Sequence, residues 1–142
     1  MLRFRTALCQ TRLSRRERLR EFIAECAVCP GSEAHARLRE GVQLLPDFAY
    51  GQDQAVHNLQ METLLAVGAE MCVVLGLMGE DPAFMVSRGE AGACLATVIL
   101  HDMDISAEGA TPALALLGAW ASALLAGEEP GHAPGDVSMC VH

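Results

Sequence analysis

At 142 residues the chain is long enough for one domain with a real core, and 51% of it is hydrophobic. Most of that share is Leu and Ala, with only 4% aromatic residues, a balance that favours helix over sheet. The formal net charge of −8 is unevenly spread: nine of the ten arginines fall in residues 1–39 beside four acids, the rest of the chain sets Arg88 against fourteen acids, and lysine is absent. No aromatic residue interleaves Arg12, Arg15, Arg16, Arg18 and Arg20, which argues against a nucleic-acid partner and for arginines that decorate a helix start beside an acidic body.

The N-terminal stretch MLRFRTALCQTRL reads as a basic arm over 1–13, with no apolar segment long enough for a secretory signal. Six cysteines (Cys9, Cys26, Cys29, Cys72, Cys94 and Cys140) are then expected to be free thiols in a reducing compartment. Ser14-Arg-Arg-Glu17 has the form of a capping box, and it opens a helix whose Leu19, Phe22, Ile23 and Cys26 make one apolar stripe. Pro30-Gly31 ends that helix, Ser32 can cap the next, and Leu38, Val42 and Leu45 form its stripe before Pro46 stops it. Residues 47–60 read as a short helix or irregular connection.

Met61 to Gly79 is the stretch around which the chain is expected to be organised. Wound as a helix, it is apolar over nearly its whole circumference, which predicts a central buried helix over about 61–78. The carboxylate of Glu70 at its midpoint argues against a membrane span. An unpaired carboxylate in a core is costly, so Glu70 must lie on a wet strip with Ala66 and Ala69 or meet an arginine. Asp81-Pro82 can start a short helical turn through Val86. Ser87-Arg-Gly-Glu90 repeats the capping-box form, with Ala91, Cys94, Leu95, Val98 and Ile99 as the stripe of a further helix. Thr111-Pro112 starts a last helix through Leu114, Leu117, Trp120, Ala121 and Leu124, ended by Gly127. This run of about 15 residues is too short for a tail anchor. Residues 128–142, rich in Pro and Gly, read as a disordered tail. The expected fold is therefore all-α, with six or seven helices in a domain over 14–127, without a hairpin or heptad signal.

Three patterns suggest chemistry. Cys26-Ala-Val-Cys29 has C-x-x-C spacing, but a zinc site needs four ligands and only His35 and Cys9 are near, so a small Cys/His metal or redox protein is the reading kept from another class. In LATVILHDMDIS (95–106), a D-x-D after an apolar run resembles the nucleophile loop of haloacid-dehalogenase-type phosphatases. The helical stripe, the short remainder of the chain and the lack of lysine oppose it. His101-Asp102 has the form of a metal-binding HD pair, with His57 the sole upstream histidine at a plausible distance. No triad, phosphate cradle or paired-carboxylate site is found. The expectation is not an enzyme, with no cofactor and no metal.

Some local motifs resemble the poxviral Bcl-2-like proteins, small intracellular virulence factors that block innate immune signalling. They are Leu19-Arg20-Glu21-Phe22-Ile23 on the first helix, Ala36 to Leu45 leading into Phe48, and Glu62, Gly68 and Gly79-Glu80-Asp81 on the fifth. The family's tryptophans fall here at about Glu25 and Leu77. The resemblance implies a Bcl-2-like bundle around the 61–78 helix and a non-catalytic protein of the host cell cytoplasm that binds host signalling proteins and inhibits NF-κB-type activation. It also implies a possible homodimer through Arg20, Glu21, Ala24, Ala93, Thr97 and Leu100. The alternative is an anti-apoptotic protein that takes BH3 helices in a groove, with Arg37, Arg39, Ala66, Glu70 and Arg88 as candidates. Neither version needs a nucleic acid or a membrane span.

Overall fold

The computed structural model describes residues 14–47 and 54–128, so the basic arm, part of the 47–60 connection, and the tail from residue 129 lie outside the described residues. The first two helices form where their stripes and stop residues place them, although Ser32, the expected cap of the second, lies inside a 3-10 turn and Glu33 takes the N-cap position. Helix α1 spans Arg15–Val28 and buries Leu19, Phe22 and Cys26. Ser14 takes the N-cap position without a side-chain cap bond; Glu17 pairs with Arg20 at 3.0 Å instead. A turn of 3-10 helix at Gly31–Glu33 leads into α2, Ala34–Leu44, which buries Leu38 and Val42.

The expected central helix is not one helix. Helix α3 covers Gln54–Ala66, the chain turns at Val67-Gly68-Ala69, and α4 runs over Glu70–Met78. Gly68 has φ +77°, a left-handed conformation that costs an ordinary residue about 1 kcal/mol or more, so the mid-span glycine is where the helix breaks. The break also resolves the difficulty with Glu70. It lies in the first turn of α4, where the helix dipole favours a carboxylate, and its Oε2 is 2.8 Å from His35 Nε2 on α2. Its partner is a histidine, not an arginine.

The second correction is larger. Residues 83–109 form a three-stranded antiparallel sheet, so the fold is mixed α/β and not an all-α Bcl-2-like bundle. Strands β1 (Ala83–Arg88), β2 (Cys94–Leu100) and β3 (Met103–Gly109) follow one another as a meander in the order β1-β2-β3. Ser87 to Glu90, read as a helix cap, is the end of β1 and the start of its turn, closed by Gly89 N–H donating to the Ala93 carbonyl at 2.8 Å. In β2 the true period is two: Cys94, Ala96 and Val98 are buried while Leu95 and Ile99 are exposed. Val86, Thr97, Val98, Ile99 and Ile105 supply the β-branched side chains a pleated surface favours. His101 (φ 52°) and Asp102 (φ 67°) make a two-residue turn with both φ positive, the primed turn whose twist suits a hairpin.

The buried hub is the last helix, α5, at Pro112–Glu128. Thr111 caps it, its Oγ1 accepting the Leu114 N–H at 3.1 Å, and Pro112 occupies the first helical position. Residues 113–121 are all buried, so this is the helix that is enclosed on every side. The sheet packs on α5 chiefly through β3 and β2, and α1, α2 and α4 pack against it as well. Glycines set these approaches. A methyl group at Gly118 would sit 3.5 Å from both Ala107 Cβ on β3 and Cys26 Cβ on α1. One added at Gly109 would meet the Ala115 nitrogen at 2.6 Å, so β3 ends in backbone contact with α5. Among the described residues no helix is long and apolar enough to cross a membrane.

Candidate interaction surface

The residues proposed for a dimer face do not share one. Arg20, Glu21 and Ala24 are exposed on α1, where Arg20 Nη1 donates to Glu17. Ala93 lies in the β1–β2 turn, Thr97 is in mid-β2 with its Oγ1 2.8 Å from Ser106 Oγ, and Leu100 is a half-buried core neighbour at the end of β2. The two sets were expected on two helices; the second set lies on or beside a strand, and the sheet separates its members.

The groove candidates are also dispersed. Arg37 Nη1 reaches Glu25 at 2.7 Å and Glu40 at 3.1 Å, tying α2 to α1. Arg39 makes a two-pronged contact with Glu62 on α3, at 2.9 and 3.2 Å, which holds the Glu62 carboxyl below its ordinary range. Ala66 is exposed at the end of α3, Glu70 pairs with His35, and Arg88 is exposed at the far end of β1. An open depression of about 370 Å³ does exist between α1 and α2. Arg18, Glu21, Glu25, Glu40 and Gln43 line it with Phe22 and Leu44, a charged floor unlike an apolar helix-binding groove.

The C-x-x-C pair is packed rather than presented. Cys26 lies in the main core, and burial foremost, then the neighbouring Cys29, pushes its thiol up to about 12. Cys29 joins a small cluster with Ala34 and Leu114, and burial raises its thiol too. A metal ligand or attacking sulfur must be a thiolate, so both shifts oppose that chemistry. Among the described residues no three His, Cys, Asp or Glu side chains converge on a possible metal position. The HD and D-x-D residues fall on the β2–β3 turn and on β3: His101 and Asp102 form the turn, and Asp104 points out from the strand.

What sequence reasoning missed is the outer face of the sheet. Partners across the register share a face, and the rows Ala83–Ile99–Asp104, Met85–Thr97–Ser106 and Ser87–Leu95–Glu108 all turn away from α5. On the β1–β2 ribbon that surface is largely apolar, with Met85 at 66%, Leu95 at 43% and Ile99 at 38% exposure. Phe84, on the helix-facing side of β1, is still 39% exposed because α5 lies mainly beneath β2 and β3. The rim along β3 is acidic and polar, formed by Asp104, Ser106 and Glu108. The alternation in β2 was the signal that could have revealed this face. Comparison with known protein families, with characterised proteins and with solved structures gives no match to this chain.

Proposed function

We propose that this chain is a non-catalytic protein-interaction module that binds a protein partner through the outer face of the β1–β2 ribbon. One observation carries the reading: three of the exposed large apolar side chains, Met85, Leu95 and Ile99, share the outer face of two adjacent strands of an acidic protein. Contiguous apolar surface rimmed by polar groups is characteristic of interaction sites. The narrower role implied by the viral resemblance, inhibition of NF-κB-type signalling in the host cytoplasm, presupposes a helical bundle. What carries forward from it is the interaction role alone.

The test is a comparison of captured partners. A Leu95→Glu/Ile99→Glu chain should lose a partner that the unaltered chain and a Val67→Glu control both retain, since Val67 is exposed in the α3–α4 turn. An identical partner set for all three would overturn the proposal. Stoichiometric metal in the purified chain would favour the Cys/His alternative instead.

A further inference from the structure

We infer that β1 pairs with β1 of a second copy of this chain, antiparallel about Val86, so that two three-stranded sheets become one. This rests on the reading of the ribbon as the binding region and names a partner for its open edge.

The hydrogen-bond phase of the sheet identifies which backbone groups are free. Gly89 N–H donates to Ala93 O, so this facing pair is hydrogen-bonded, and bonded pairs recur every second residue. Ser87, Met85 and Ala83 therefore direct their N–H and C=O groups toward Leu95, Thr97 and Ile99. Phe84, Val86 and Arg88 direct theirs away from β2, and among the described residues no strand lies beyond them. The register is continuous along β1, without a bulge. Arg88 is the one charged residue of the strand; it stands at the strand's end and leaves the edge at Phe84 and Val86 without a charge or a bulge to blunt it.

Side-chain facing favours a second copy. Phe84, Val86 and Arg88 stand across from Val98, Ala96 and Cys94, all buried, so their side chains point to the helix side of the sheet. A two-fold axis perpendicular to the sheet at Val86 sets Val86 opposite its counterpart and Phe84 opposite Arg88 of the other copy. Each facing pair exchanges two hydrogen bonds. Both helix layers then lie on one side, and the two under-covered Phe84 rings meet apolar stems and a guanidinium beneath the junction. No acid is brought to the seam, although the chain as a whole is acidic. Pairing of β1 with β3 of another copy is the competing arrangement. Its free groups belong to Asp104, Ser106 and Glu108, whose side chains point to the opposite face, so that pairing would set Phe84 and Val86 among outward acids. It would also propagate, whereas β1–β1 pairing uses the open edge of each copy and closes at two.

The test combines sedimentation equilibrium with residue-resolved amide exchange on the full chain, from low to high micromolar concentration. A dimer should appear, and the amides of Phe84, Val86 and Arg88 should slow by an order of magnitude or more as it forms. Those of Ala83, Met85 and Ser87 should not change. Val86→Pro and Arg88→Pro each delete an N–H that points away from β2, so either should remove the dimer while keeping the monomer's circular dichroism. If either fails to fold, exchange in the unaltered chain still decides. Free exchange at Phe84, Val86 and Arg88 at every concentration would overturn the inference, as would open-ended association. A monomer at every concentration of the unaltered chain, with Leu95/Ile99-dependent capture intact, would overturn this inference and leave the interaction proposal standing.

Discussion

The two edges of the sheet are built on opposite terms. In the row Arg88–Cys94–Gly109, the β1 end is an exposed cation, and the β3 end is a glycine pressed against the backbone of α5. In the row Val86–Ala96–Ala107, Ala107 meets the glycine notch of α5 opposite Cys26, while Val86 is only half-buried. Edge β3 is tied to the hub, lies alongside α1, and shows acids to solvent; edge β1 is held by β2 and shows Phe84 and Met85. A chain that restrains one edge so closely and leaves the other apolar and unbulged marks the second as the place where something adds.

The largest test of the restrained side uses Cys26, which backs α5 opposite β3. Its thiol keeps a proton to about 12 in the fold but releases it near the ordinary 9.0 when the chain unfolds. Between those values the unfolded chain binds fewer protons, so stability is complete below pH 9 and falls as pH rises. The slope is about 1.4 kcal/mol per pH unit, or about 4 kcal/mol in all. Urea titrations from pH 8 to 11 should show that slope in the unaltered chain and a flatter one in Cys26→Ala. An unchanged slope would place the thiol in water.

Next in size is the pair of substitutions at the two ends of one row. Gly109→Ala puts a carbon 2.6 Å from the Ala115 nitrogen and should cost about 3 kcal/mol, because backbone has to move. Arg88→Ala should leave stability within about 0.5 kcal/mol. The emission of Trp120, the single tryptophan and a buried one, reports both unfolding curves. Equal costs at the two ends would erase the distinction between the edges.

The same contrast explains what could be read from the residues and what could not. Helices α1, α2 and α5 were legible because stripes and stop residues agree there: Leu38 and Val42 do face the core, and Thr111-Pro112 does begin α5. The meander was not. Cys94, Leu95, Val98 and Ile99 fit helical spacing as well as Cys94, Ala96 and Val98 fit alternation, and a capping-box motif upstream tipped the reading the wrong way. The β2–β3 turn uses His101-Asp102 rather than a glycine pair, so the commonest hairpin signal is missing. The hub was misplaced because apolar residues all round were counted over 61–79, although Gly68 could break that span. The charge-free run at 112–127 satisfied the same criterion without interruption. The interaction surface follows from strand facing, so it cannot be seen while Asp81 to Val86 is taken as a helical turn and Ser87 to Ile99 as a helix.

A smaller effect is expected at the turn that fastens β3 to β2. Asp102 has φ 67°, a strain that glycine does not feel, so Asp102→Gly should stabilise the fold by about 1 kcal/mol. Thermal unfolding measures it, and a loss would mean that the Asp102 side chain contributes more than its backbone costs.

The smallest effect on folding is predicted where the effect on binding is greatest. Leu95 faces away from α5 and is 43% exposed, so Leu95→Thr surrenders little buried area and gains a β-branched residue in mid-sheet. Its unfolding free energy should move by no more than about 0.5 kcal/mol, while partner capture weakens. The argument is differential: a side chain kept apolar for the core destabilises when it is replaced, and one kept apolar for a partner does not. A fall of about 2 kcal/mol or more would mean that Leu95 is covered within the folded chain itself, and the outer face would then be core rather than interface.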